Sequence, residues 1–301
     1  MESQQIQWKS WLLLFVLSLT WGSSFILIKR GLYTPTGQIT LLPEQLAALR
    51  IGVAGIFLLP FAIYHLKALD KKNWKVLLLV GLLGNGIPAL LFALAQTKIS
   101  SSLSGMLNSL VPLFALFIGV IVFKVKVKWF NTLGVLLGLG GALGLILSAN
   151  QHTQENQLGF SFLVVLATMC YAISVNIIKS MLPQVKSVAI TAISFMFLIP
   201  FCLFYLGFSD FILRLHTVPG VMESVGYVAV LGVVGTGVAV ILFNKLIKQT
   251  TAVFASSVTY LIPLVALLWG FIDGETISVG QVWFALVILS GVYLVNKKEW
   301  K

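Results

Sequence analysis

Side chains able to hold a polar solute are rare in this chain, and several of them interrupt apolar runs. Asn85 sits in "GLLGNGIPALLF" (81–92) and Asn108 in "SGMLNSLVPL" (104–113). Each amide offers two donors and an acceptor oxygen. Trp21, Ser24, Tyr171, Ser174, Thr236 and Tyr260 add hydroxyl and ring surfaces at comparable depths in their own runs. That set can hydrogen-bond and stack on a small molecule, and it contains none of the Asp, Glu or His residues of a usual proton relay. Glu44 stands at the mouth of an apolar run, and His65, His152 and His216 fall in loops or at run ends. A buried relay would place Asp, Glu or His within the helices. There is no nucleophile with a base, no metal-ligand spacing and no phosphate loop. The expectation is therefore no enzyme, no metal and no cofactor.

The candidates fall on stripes at helical spacing. Asn85, Ala89, Phe92 and Gln96 form one; Ser101, Ser104, Asn108 and Pro112 form another. The competing reading for each Ser or Thr is an interhelical hydrogen bond, worth only about 0.6 kcal/mol on average in membranes. Arg50 lies inside an apolar run. Helical side chains lean toward the N-terminus, so it can snorkel to the headgroups; the alternative is a gate or a solute contact. Lys29 and Lys179 end their helices, where a cation suits the C-terminal dipole.

Glycine and proline weaken the runs at chosen points. Gly84, Gly86 and Pro88 interrupt one, and Gly235 and Gly237 another; Pro112 and Pro263 sit early in two more. Proline removes a helical hydrogen bond, and glycine costs about 1 kcal/mol against alanine. These seven positions are the expected hinges. In "GVLLGLGGALG" (134–144) the glycines read instead as small residues that let helices pack closely.

The elements that must carry these residues follow from composition. The chain has 301 residues, 58% of them hydrophobic and 10% charged, with a mean hydropathy of +1.00. Soluble domains average about 25% charged residues. Runs long enough to cross a hydrocarbon core of about 30 Å occur at 11–28, 42–64, 74–97, 99–123, 129–149, 158–178, 187–208, 223–247, 251–271 and 279–296. The fold class is an all-α integral membrane protein with ten transmembrane helices. The first run is too long for a signal-peptide core and ends in Lys29-Arg30, so it reads as an uncleaved anchor. Cys170 and Cys202 both lie within runs and read as apolar packing residues.

A net charge of +11 would suggest nucleic acid in a soluble protein, but its placement argues otherwise. With the N-terminus inside, Lys9, Lys67, Lys71, Lys72, Lys75, Lys124, Lys126, Lys128, Lys179, Lys186, Lys245, Lys248, Lys297, Lys298 and Lys301 are all cytoplasmic. Only Lys29, Arg30, Lys98 and Arg214 lie outside. The positive-inside rule then sets both termini in the cytoplasm.

The chain also repeats. Gly84-Asn85-Gly86 matches Gly235-Thr236-Gly237 at an offset of 151, as "LVPLFALFIG" (110–119) matches "LIPLVALLWG" (261–270). Trp21, Ser24 and Lys29 match Tyr171, Ser174 and Lys179 at an offset of 150. This divides the chain into residues 1–150 (helices 1–5) and 151–301 (helices 6–10). Five helices per unit is an odd number, so the two repeats run inverted across the membrane. Matched breaks in inverted repeats are the best sequence pointer to a carrier's central site.

"LTWGSSFILIKRGL", "PEQLAALR", the paired "VPLFALFIG" and "IPLVALLWG", and "DGETISVGQVWFALVILSGVYL" together resemble the EamA-type proteins of the drug/metabolite transporter superfamily. The resemblance covers nearly the whole chain. It implies a bacterial inner-membrane carrier with a central cavity lined by helices 1, 3, 4, 6, 8 and 9. Gly274-Glu275 before the last helix normally has a counterpart in the first half, where this chain carries Lys124; this departure argues against a transport role for Glu275. The amide, hydroxyl and aromatic lining then points to a neutral or zwitterionic solute such as an amino acid, exported by alternating access. The alternatives are a multidrug or nucleotide-sugar-like carrier, a lipid flippase, or a non-transporting scaffold. Expected partners are a small-molecule substrate and the lipid bilayer, with no nucleic acid; the chain is read as a monomer, with a dimer as the alternative.

Overall fold

The computed structural model describes residues 8–66, 71–123, 129–150, 157–249 and 258–296, and among these no strand forms. Hydrocarbon cannot satisfy backbone N–H and C=O groups, so a spanning chain must satisfy them internally, as helices do. Eight helical stretches are long and apolar enough to cross a membrane: Ser10–Leu32, Pro43–Leu66, Trp74–Ala95, Ser101–Val122, Trp129–Ser148, Leu158–Ile178, Ser187–Phe208 and Val221–Phe243. Leu261–Ile272 and Val279–Leu294 are apolar but shorter. Lys67, Lys124, Lys126 and Lys128 lie outside the described residues.

Several spans are broken internally. The first consists of α1 (Trp8–Gly22) and α2 (Ser24–Leu32). After α3 (Pro43–Leu66), α4 (Trp74–Gly81) passes into a π segment, π1 (Leu82–Gly86), before α5 (Ile87–Ala95). The run at 99–123 is two helices, α6 (Ser101–Asn108) and α7 (Val111–Phe123). The chain leaves the helix at Ser109–Leu110, just before the residue that precedes Pro112, where the α region is disfavoured. Next come α8 (Trp129–Asn150), α9 (Gln157–Met181), α10 (Ser187–Phe208) and a short α11 (Phe211–Thr217). A second π segment, π2 (Val233–Val238), separates α12 (Val221–Gly232) from α13 (Ala239–Gln249). Last are α14 (Val258–Ile272), with Pro263 inside it, and α15 (Val279–Asn296). The two π segments hold Gly84, Gly86, Gly235 and Gly237, and Pro88 follows π1 at the start of α5. A π turn is often found at a functional position in a helix.

The helices pair across the two halves of the chain. α8 packs on α15 and α3 on α10; α5 and α6 touch α9, while α13 and α14 touch α1. Exchanging the halves leaves this pattern of pairs unchanged. The α8–α15 contact is close because of glycine: a Cβ at Gly291 would lie 2.6 Å from the Gly134 carbonyl oxygen, and one at Gly144 would meet the Phe284 ring at 2.2 Å. Gly138, Gly141 and Gly144 of "GVLLGLGGALG" thus serve packing, whereas a Cβ at Gly140 would meet nothing within 4 Å.

Candidate functional site

α2, π1, α6, α9, α10 and π2 surround a cavity of about 380 Å³. Trp21, Ser24, Asn85, Asn108, Tyr171, Ser174 and Thr236 all line it, so the structure brings together every expected lining residue whose side chain is described. Tyr260 belongs to α14, but its side chain lies outside the described residues. The same is true of Asn244 and Thr259. Gly84 and Gly235 border the cavity, while Pro112 and Pro263 lie within α7 and α14.

Each π segment sits against a serine from the opposite half. A Cβ on Gly84 would be 2.6 Å from Ser174 Oγ, and one on Gly235 would be 3.2 Å from Ser24 Oγ. The indole N–H of Trp21 donates to the carbonyl oxygen of Gly235 (3.1 Å), a group beside the widened turn. Thr236 donates to Leu231 O (3.2 Å), five residues back. Aromatic rings extend the wall: Trp21 packs on Phe243 at 5.1 Å between centroids, Phe25 on Phe92 at 5.7 Å, and Phe92 stacks on Tyr171 at 6.2 Å.

Arg50 departs from the snorkelling expectation. It lines the cavity, where its Nε–H donates to Thr236 Oγ1 (3.4 Å). The sequence leaves a gate or solute contact as the alternative to snorkelling, and the rotation of α3 about its axis turns Arg50 inward. Other candidates serve the framework. Asn176 donates to Ala115 O and Ala172 O, and Ser23 accepts from Trp269 Nε1 (2.7 Å). Gln96 and Ser104 are buried away from the cavity lining. Glu44 borders a separate, apolar groove with Leu78, Leu82, Leu198 and Tyr205.

Just beyond Ile28, at one end of the cavity, a cluster of charges ties the bundle together; of these, the sequence assigns an anchoring role to Lys29 alone. Lys29 pairs with Asp273 (2.6 Å) and Glu275 (2.9 Å), and Arg30 pairs with Asp273. Glu275 also accepts from the backbone N–H and hydroxyl groups of Ser101 and Ser102, at 2.6–3.1 Å. A carboxylate at a helix N-terminus meets unpaired N–H groups and the positive dipole end. Burial pushes the Glu275 carboxyl up, but hydrogen bonds from Ser102 and Lys29 together with the Lys29 charge outweigh it and hold it below the usual range. One carboxylate thereby joins α2, α6 and the turn after α14. The pairing of Gly274-Glu275 with Lys29 across the two halves is invisible in sequence. At the same end Ser224 donates to Arg30 O (2.9 Å) and Gln45 to Asp210 Oδ1 (2.6 Å). The cavity lining extends the other way, to Ile178, Ile190 and Thr191 beside the α9–α10 turn.

Comparison with known proteins gives the same architecture. A solved crystal structure superposes with a TM-score of 0.63 at 15% identity, over 98% of this chain and 100% of that one, which shows a shared fold. A transporter from Archaeoglobus fulgidus is 24% identical over 97% of this chain and 100% of its own length. The inner membrane transporter YedA of Escherichia coli K12 is 27% identical over 95% of this chain and 92% of its own. The EamA-like transporter family matches twice, over residues 8–147 and 159–297. The chain belongs to the EamA-like transporter family and is a multi-pass membrane transporter.

Proposed function

We propose that the chain is a secondary carrier that moves a small metabolite, an amino acid or a related neutral or zwitterionic compound, across the inner membrane by alternating access. Ten spans in two inverted repeats, residues 1–150 and 151–301, provide the frame, with both termini cytoplasmic as the lysine distribution requires. The observation that carries this reading is the pair of π segments at matching positions, π1 and π2, both bordering one cavity. A π turn leaves backbone groups out of register, so each segment can change its bend at little cost while the rest of its helix stays intact.

On this orientation the Lys29–Glu275 end faces outward and the cavity faces the cytoplasm. Export then begins with solute entering between α9 and α10, followed by loss of the outer ion pairs. Counterflow in proteoliposomes containing the purified protein tests the reading across a panel of labelled amino acids. The expected result is saturable exchange of at least one of them above protein-free vesicles. A folded, correctly inserted protein that exchanges none of the panel overturns it.

A further inference from the structure

Arg50 is the one charged residue among the described residues lining the central cavity. Its Nε–H is engaged by Thr236 Oγ1 at 3.4 Å, and Thr236 in turn commits its own hydrogen to Leu231 O. No carboxylate pairs with the guanidinium among the described residues, and its two Nη groups have no hydrogen-bond partner there. The acids are accounted for elsewhere. Glu44 lies six residues earlier on α3, in the separate groove. Asp273 and Glu275 belong to the closed end, as does Asp210 with Arg214, and Glu223 accepts from Tyr227. Glu2, Asp70, Glu155 and Glu299 lie outside every apolar run of the sequence.

A cation held in a membrane protein without a counter-ion is costly, and such residues mark substrate pathways. We propose that Arg50 is the anchor for a carboxylate on the transported solute, and that the solute is a monocarboxylate or amino acid with an apolar or aromatic body. The proposal rests on the carrier reading above and narrows its substrate class. Thr236 holds the Nε edge of the guanidinium, which leaves the Nη pair to form two parallel hydrogen bonds with one carboxylate, the arrangement Arg favours. Phe25, Phe92, Tyr171 and Phe243 offer the body an aromatic wall, and Asn85 and Asn108 offer hydrogen bonds to an amino or hydroxyl group. A phosphate dianion would call for more than one cation, and a cationic solute would be repelled. Because Thr236 belongs to π2, a carboxylate that draws the guanidinium away changes the hydrogen bonding of the widened turn, which links occupancy to the hinge.

The test compares acids with the methyl esters that remove the carboxylate charge, on the purified, full-length protein. The deciding pair is 3-phenylpropionate and its ester, which is neutral, because the amino-acid esters are cations. Thermal protection is titrated with L-leucine, L-phenylalanine and 3-phenylpropionate, with the methyl ester of each, and with inorganic phosphate. The expected result is protection by at least one acid and an affinity about 10- to 150-fold lower for its ester, the range for losing a charge-assisted hydrogen-bond pair. Arg50→Gln should abolish the difference between acid and ester, and Arg50→Lys should retain part of it. If Arg50→Gln fails to fold, the acid–ester comparison in the wild type still decides. An ester that protects as well as its acid, protection by phosphate alone, or no protection by any acid overturns the anchor. Counterflow separates the two readings: exchange with no preference for a carboxylate sinks the anchor and leaves the carrier. Tight acid binding without exchange of any probe leaves the anchor and sinks the carrier.

Discussion

Lys29 and Glu275, 246 residues apart in sequence, meet at 2.9 Å where α2 reaches the turn after α14. Glu275 is simultaneously the acceptor for the first N–H groups of α6, so a single side chain closes three elements over one end of the cavity. Removing it leaves Ser101 and Ser102 without their acceptor, although Lys29 keeps Asp273. Glu275→Gln should weaken this closure by about 2–4 kcal/mol, the range for charge-assisted hydrogen bonds and a broken buried pair. In a Cys170→Ala, Cys202→Ala background, a cysteine at Ile28 should become more reactive to an impermeant thiol reagent added from outside. Unaltered labelling would mean that this cluster does not control access.

The same carboxylate sets a pH dependence. Its folded value is held below the usual range, so its contribution is complete above the ordinary Glu value and is lost as pH falls through the lower, folded value. Outer closure should be constant from pH 7 down to about 5 and should loosen progressively below about 4. Labelling of the Ile28 cysteine across that range measures it, with Glu275→Gln expected to show no such rise.

π1 can be tested by two substitutions that differ in sterics. At Gly84 an added Cβ would strike Ser174 Oγ at 2.6 Å, whereas at Gly86 the nearest side-chain atom is 3.6 Å away. Gly84→Ala should destabilise by about 1–3 kcal/mol through overpacking, with partial recovery in Gly84→Ala/Ser174→Gly as seen by thermal unfolding. Gly86→Ala with Pro88→Ala should instead fold normally, strengthen the helix and slow exchange. Normal exchange in that double variant would reduce the "GNGIP" stretch to a packing feature.

Asn85 faces the cavity from within π1, so Asn85→Leu removes a hydrogen-bonding group from the lining. Where this leaves a solute atom unpaired the cost is about 1–3 kcal/mol, or roughly 5- to 150-fold in affinity. Ser148→Leu, whose hydroxyl donates within its own helix to Leu145 O, is the control. Equal solute-dependent thermal protection in the two variants would exclude Asn85 from the site.

Orientation is checked by single cysteines. Replacements at Asn156 and Gly274 should react with an impermeant reagent in intact cells, and one at Lys126 should not. Labelling of the Lys126 position from outside would reverse the assignment of the two faces.

Local chemistry accounts for what was legible in the chain. Apolar length, lysine placement and the recurrence of Gly-Asn-Gly as Gly-Thr-Gly are properties of neighbouring residues, so the helical membrane class and the weakened segments could be read directly. Polar residues in such segments are costly unless they face protein or water, which is why Asn85, Asn108, Tyr171 and Thr236 could be singled out before their positions in space were known. Long-range relations were decided only by the tertiary structure. Whether Arg50 reaches the headgroups or the cavity depends on the rotation of α3 about its axis, set by its packing on α10 and α12 and not by its depth in the span. Which groups meet the π turns, Ser174 at π1 and the Trp21 indole at π2, depends on how the two halves pack together. The joining of Lys29, Arg30, Asp273, Glu275 and the start of α6 required the first and ninth runs to be brought side by side. Charges that look like separate helix-end anchors in one dimension become a single closure because the bundle places their ends together.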